Sequence, residues 1–305
     1  MNVAFFGTSD RSIPILNGLK DSKYDLVLCV TKNDMTVGRK KELKPTAVKT
    51  WAQDNRVQTL TIGDMSPATT AQIQDEILSK NIELCVIADF SFMLPEEIIT
   101  SPKYGFINIH FSLLPHYRGA SPVQFTILNR EKKTGITYQQ MAKEMDAGKI
   151  ISQSNYKLKG TETTQVLYDL LFEKAGTEIS GVIDSYISNN KLTEQDPTKI
   201  TYTYSPTHPK STRIFKEDAM IDWNKTPEEI DAMVRAFDPW PIAWTTLDEI
   251  SEYTGKPLSK GKDGTNTVKI FETKVSEDSL QIKTLQVAGK NKVSWKDFEN
   301  GYLRG

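Results

Sequence analysis

Residues 2–31 read NVAFFGTSDRSIPILNGLKDSKYDLVLCVT, and the order of textures in that stretch decides the fold. An apolar run of strand length (Asn2–Phe6) precedes a helix-like segment over 12–20 and a second apolar run over 25–31. Working outward, the alternation continues. Strand-like runs over 57–62 and 83–88 are separated by helix-like segments over 46–53 and 66–80, the latter opening on Ser66 as a cap with Pro67 in its first turn. Runs at Phe106–His110 (FINIH), 135–141 and 149–156 extend the series. Residues 163–187 then carry Val166, Leu167, Leu170, Leu171, Ala175, Ile179, Val182, Ile183 and Tyr186 as one helical stripe. Short strands alternating with helices predict an α/β domain whose mainly parallel sheet is covered by helices on both faces.

The chain has 305 residues, long for one compact domain and sufficient for two. Residues 1–189 read as the first domain. Residues 190–212 read as a linker, polar and interrupted by Pro197, Pro206 and Pro209. Residues 213–305 read as the second domain. There Thr226-Pro227-Glu228-Glu229 is a capping-box start for a short helix. IAWTTL, TVKIFETKV and LQIKTLQV then read as strands of a small β-barrel, with Trp240, Trp244 and Trp295 in its core. With 38% apolar and 25% charged residues a sizeable core is available, which excludes disordered and collagen-like classes. No apolar run approaches the roughly 20 residues that span a bilayer, and the first residues lack the pattern of a secretory signal, so no membrane partner is expected. Cys29 and Cys85 lie inside apolar runs and read as core thiols of a reducing compartment. At a net charge of −1, any nucleic acid must be held by local basic patches.

The densest chemistry lies in residues 108–122, NIHFSLLPHYRGASP. In a strand Asn108 and His110 share a face, and the chain then leaves through a loop at the strand's carboxyl end, where open α/β sheets bind ligands. An amide donor beside an imidazole there can hold the oxygen of a carbonyl under attack. The segment EMDAG (144–148) offers the missing carboxylate in Asp146, which could orient the ring and accept a proton from an amine. Taken singly, each has a plainer reading, a satisfied histidine near a loop and a turn aspartate before glycine. Gly7 is solitary after the first strand, so no dinucleotide is implied. His116 and His208 lack Cys or acidic partners at ligand spacing, so no metal is expected.

NIHFSLLPHYRGASP resembles the central motif of formyltransferases that use 10-formyltetrahydrofolate, and MDAG resembles their loop carrying an essential Asp. FFGTSDRSIPIL, the stretch over 31–49 and RAFDPWPIAW are also similar, and the last two point to the methionyl-tRNA branch of that superfamily. The resemblance implies a Rossmann-like catalytic domain followed by a small OB-like β-barrel. It places Asn108, His110 and Asp146 on the catalytic positions. Ser112, Leu113, Leu114 and Pro115, with Phe90 and Leu94, fall on the folate-binding positions. Arg39, flanked by Lys40 and Lys41, falls on a basic loop that reaches the acceptor end of initiator tRNA. Residues 31–49 hold six basic side chains against two acidic ones, a charge pattern suited to phosphates. The implied co-substrate is 10-formyltetrahydrofolate without a metal, and the implied partner is initiator methionyl-tRNA. A monomer in the cytoplasm, or in an organelle matrix, is expected. The same residues would suit a sugar-nucleotide N-formyltransferase or a 10-formyltetrahydrofolate hydrolase. Only Ser276 to Ser279 separate TKV from LQIKTLQV, where relatives carry another hairpin, so the barrel is expected to be short.

Overall fold

The computed structural model of the chain describes residues 1–37, 42–189, 191–277 and 279–304. The chain runs β1 (Asn2–Phe6), α1 (Ile13–Lys20), β2 (Asp25–Lys32), a short antiparallel pair β3 (Met35–Val37) and β4 (Glu42–Lys44), α2 (Ala47–Asp54), β5 (Gln58–Ile62), α3 (Pro67–Ser79), β6 (Ile82–Ile87), α4 (Glu96–Ile99) and β7 (Phe106–His110). It continues through α5 (Pro122–Leu128), β8 (Lys133–Gln140), β9 (Ile150–Lys157) and α6 (Thr164–Asn189). Among the described residues seven strands form one sheet in the order β5-β2-β1-β6-β7-β8-β9. The β5, β2, β1, β6 and β7 neighbours are parallel, and β8 runs antiparallel to β7.

This is the α/β sheet that the alternation implies. Ala4 and Phe6 join a buried cluster with Ile73 and Ile77 of α3 and with Ile98 and Ile99 of α4. Their alternates Val3 and Phe5 are also wholly buried, so both faces of β1 are covered. Opposite α3, the helices α1 and α6 meet closely: a Cβ on Gly18 would lie 2.0 Å from the carbonyl oxygen of Gly176, so only glycine fits. The Ser66 hydroxyl caps α3 through the Thr69 N–H with Pro67 in the first turn, as read from the sequence. In α6 most of the expected stripe is buried, from Leu167 and Leu171 to Ile183 and Tyr186. Val166 and Leu170 are exposed, whereas Tyr168 and Phe172 are buried, because the aromatic rings pack on Phe111. Cys29 and Cys85 are buried free thiols, and burial pushes the Cys29 thiol up to about 12.

By internal contacts the chain forms two compact units, one of residues 1–118, 135–156 and 168–201, the other of 119–134, 157–167 and 202–305. The second contains α7 (Pro227–Ala236), β10 (Trp244–Thr246), α8 (Leu247–Thr254), β11 (Thr267–Ser276), β12 (Ser279–Val287), β13 (Val293–Ser294) and α9 (Trp295–Tyr302). Its strands make an antiparallel sheet, β10-β11-β12-β13, of the small barrel-like kind. Helices α8 and α9 join the strands, which the strand reading of this region did not anticipate. Phe125 and Leu128 of α5 pack against this unit's core of Ile230, Val234, Leu285 and Phe298. Trp244 and Trp295 are partly buried there, but Trp240 is 53% exposed and is no core residue. Thr226 and Glu229 complete the expected capping box at α7.

Candidate active site

The carboxyl end of β7 presents Asn108 and His110 on one face, and the neighbouring strand β8 brings Gln139 opposite Asn108 and Thr137 opposite His110. The Asp146 carboxylate meets them. Its Oδ1 accepts from Asn108 Nδ2 at 3.1 Å and from Gln139 Nε2 at 3.0 Å, and lies 3.5 Å from His110 Nδ1. Three side chains of two adjacent strands thus converge on one carboxylate oxygen. The other ring nitrogen, Nε2 of His110, donates to the Tyr117 carbonyl at 2.9 Å, which fixes the ring plane. His110 is 6% exposed, so these contacts are largely shielded from water. Asp146 (φ +51°) and Tyr117 (φ +62°) both adopt the left-handed backbone that a non-glycine residue holds only when its surroundings impose it. Gly148 seats the Asp146 loop, since a Cβ there would lie 1.7 Å from the Gln140 carbonyl oxygen.

The 112–115 loop is pinned from β8 and β9. The Thr137 hydroxyl donates to the Ser112 carbonyl at 2.6 Å and accepts from the Leu114 N–H at 3.0 Å. Gln153 Nε2 donates to the Leu114 carbonyl and to Thr137 Oγ1, each at 2.8 Å. Ser112 and Leu114 are buried, with Leu113 half-buried between them. Leu94 lies in the buried cluster containing Phe6 and Phe106, against which Phe90 packs, its ring 5.6 Å from that of Phe6. Phe106 shares a face of β7 with Asn108 and His110, so that cluster lies on the same side of the sheet. Arg39, Lys40 and Lys41 lie outside the described residues. Gln139, Thr137 and Gln153 were not singled out by the sequence; the signal for the first two is the β7–β8 register, and Gln153 comes from the next strand, β9. Among the described residues, no group of three or more His, Cys, Asp or Glu side chains is arranged to hold a metal ion, and no helix is long and apolar enough to cross a membrane.

A family model described as formyl transferase matches residues 1–183, and one described as formyl transferase, C-terminal domain, matches residues 213–303. A methionyl-tRNA formyltransferase of Bacillus mycoides is 35% identical over 314 aligned residues, covering 99% of this chain and 96% of the relative. The chain belongs to the methionyl-tRNA formyltransferases. Solved structures agree on the architecture of this formyltransferase. Methionyl-tRNA formyltransferase from Clostridium thermocellum matches with a TM-score of 0.56 and 17% identity over 94% of this chain and 98% of the other. An N-formyltransferase from Helicobacter canadensis, in complex with folinic acid and dTDP-3-aminofucose, matches with a TM-score of 0.60 and 19% identity over 99% and 97%. At such identities the likeness speaks for the fold. The methionyl-tRNA assignment comes from the closer sequence relative.

Proposed function

We propose that this formyltransferase moves the formyl group of 10-formyltetrahydrofolate to the α-amino group of initiator methionyl-tRNA in the cytoplasm, with Asn108, His110 and Asp146 as its catalytic residues. The observation that carries the reading is the single Asp146 oxygen shared by Asn108, Gln139 and His110 at the end of β7. The neutral amine attacks the formyl carbon, a C–N bond forms, and negative charge grows on the formyl oxygen. Asn108 spends one amide hydrogen on Asp146 and has the second to offer that oxygen. The Nε2–H of His110 donates to Tyr117 at rest, so it reaches the oxygen by sharing that bond. Asp146 takes the amine proton, directly or through one water. Collapse of the adduct breaks the bond to N10, which takes up a proton and leaves as tetrahydrofolate. The loop of Ser112, Leu113, Leu114 and Pro115, with Phe90 and Leu94, supplies the apolar wall for the folate. Arg39, Lys40 and Lys41 supply the charge for tRNA phosphates.

The test combines charged initiator methionyl-tRNA with 10-formyltetrahydrofolate, beside a control lacking any acceptor. Formylmethionine on the tRNA is expected. Tetrahydrofolate released without an acceptor would instead make the enzyme a hydrolase, and formylation of amino-sugar nucleotides alone would move it to that class. His110→Ala is expected to lose at least about a hundredfold in kcat. Full turnover by that variant removes the mechanism.

A further inference from the structure

The polar stretch after α6 returns to the site. Thr193 and Ile150 exchange both backbone hydrogen bonds, at 2.8 and 2.9 Å, and this carries Gln195 to the Asp146 loop. Gln195 Nε2 donates to the carbonyls of Asp146 (2.8 Å) and Gly148 (2.7 Å). Its Oε1 accepts from Arg118 Nε (3.0 Å) and Nη2 (2.7 Å). A single amide uses both of its donors and both of its lone pairs. Arg118 is buried and directly follows Tyr117, whose carbonyl holds His110. Further along, Thr201 ties the same loop. Its hydroxyl accepts from the Tyr117 N–H at 2.8 Å, its carbonyl accepts from the Arg118 N–H at 2.9 Å, and its own N–H donates to the Pro115 carbonyl at 3.2 Å.

We propose that Gln195 is a positioning residue for formyl transfer. It joins the loop that carries Asp146 to the loop that carries the carbonyl holding His110. This rests on the formyl-transfer reading of the site. The left-handed backbone of Asp146 and Tyr117 needs outside restraint to persist, and Gln195 grips the first directly and the second through the neighbouring Arg118 side chain. With that grip released, the loop no longer holds the Asp146 backbone in place, and the carboxylate's distances to Asn108 and His110 lengthen. Displacements of about an ångström between catalytic groups cost on the order of a hundredfold in rate.

Gln195→Leu keeps the volume and removes all four hydrogen bonds. Gln195→Glu keeps the acceptor for Arg118 but turns both donors into lone pairs facing carbonyls, so it tests the Asp146 side alone and guards against a Leu variant that fails to fold. Both are expected to lower kcat on methionyl-tRNA by roughly ten- to a hundredfold while the KM for 10-formyltetrahydrofolate stays within about twofold. Wild-type kcat in both variants, or kcat and folate binding falling together with the melting temperature, overturns the proposal. Hydrogen exchange reads the brace without reference to the reaction. Faster exchange confined to peptides covering 142–150 and 114–120 is expected in Gln195→Leu, and unchanged exchange there overturns the proposal whatever the acceptor proves to be. A wild-type enzyme that ignores methionyl-tRNA removes the formyl-transfer reading, leaving exchange to judge the brace.

Discussion

Gln139 is 1% exposed, and its amide is only half used: Nε2 donates to Asp146, while Oε1 has no hydrogen-bond partner among the described residues. Replacing it by leucine removes an unsatisfied buried oxygen together with one charge-assisted bond, two effects of opposite sign and of about 1–3 kcal/mol each. Gln139→Leu is therefore expected to melt close to the wild type yet lose about tenfold in kcat, because Asp146 loses one of the donors that aim it. Thermal melts and single-turnover formylation check this together; a large stability loss at full activity would refute it. The same residue marks the limit of what the sequence discloses about the site. Asn108 and His110 were legible because alternation in FINIH is local. Asp146 was picked out by MDAG and its likeness to a family loop. Gln139 and Thr137 were hidden in GITYQQ, since their importance arises only when β8 pairs antiparallel with β7, a contact that no local pattern encodes.

Among the elements, the long strands and helices of the first half could be read within a residue or two because apolar periodicity, Ser66 and Pro67 all agree there, whereas the short β3, β4, α4 and α5 carry too few residues for a period and were missed. In the second unit the reading stopped at strands. Thr246 and Glu249 form a complete capping box at α8, and the Ser294 hydroxyl caps α9 through the Asp297 N–H, yet both helices are short and abut strands whose alternation dominates the pattern. Two buried carboxylates also organise this unit. Burial alone would raise Asp218, but donors from Thr207, Phe215 and Ser205 outweigh it and hold the carboxyl below its usual range. Glu162, gripped by the amides of Lys159, Gly160 and Thr161, is likewise lowered against its burial. A carboxyl whose folded value is depressed stabilises the fold above its unfolded value, near 4, and that stabilisation fades as pH falls through the folded value. Asp218→Asn is expected to cost about 2 kcal/mol at neutral pH. Urea midpoints of variant and wild type should converge as pH drops below about 4, and a constant gap across that range counts against this assignment. Gly148→Ala makes a sharper test of the site's loop: with backbone 1.7 Å away the segment must move, so kcat is expected to fall at least about a hundredfold while the second unit's urea transition is unchanged.

Across the whole molecule, charge decides how a chain of net −1 could hold a polyanion. Uniform attraction is absent, so affinity must come from patches of basic residues. Residues 31–49 carry six basic side chains against two acidic ones, and Arg39, Lys40 and Lys41 stand consecutively within them. Lys49 is engaged, its ammonium 2.7 Å from an Asp34 carboxylate oxygen, and the consecutive run concentrates three of the six basic side chains, a density suited to phosphate contact. If each of the three neutralises one phosphate, their removal takes away that many released counterions, each worth roughly 0.7–0.9 in the slope of log K against log salt. Replacing all three by alanine is expected to flatten that slope for tRNA binding by about 2 and to weaken binding most at low salt. Folate affinity, which the sheet-end loops govern in this reading, should stay at its wild-type value. A slope identical to the wild type removes these residues from the tRNA interface and shifts attention to the second unit, where ten basic side chains face seven acidic ones between Glu252 and Arg304.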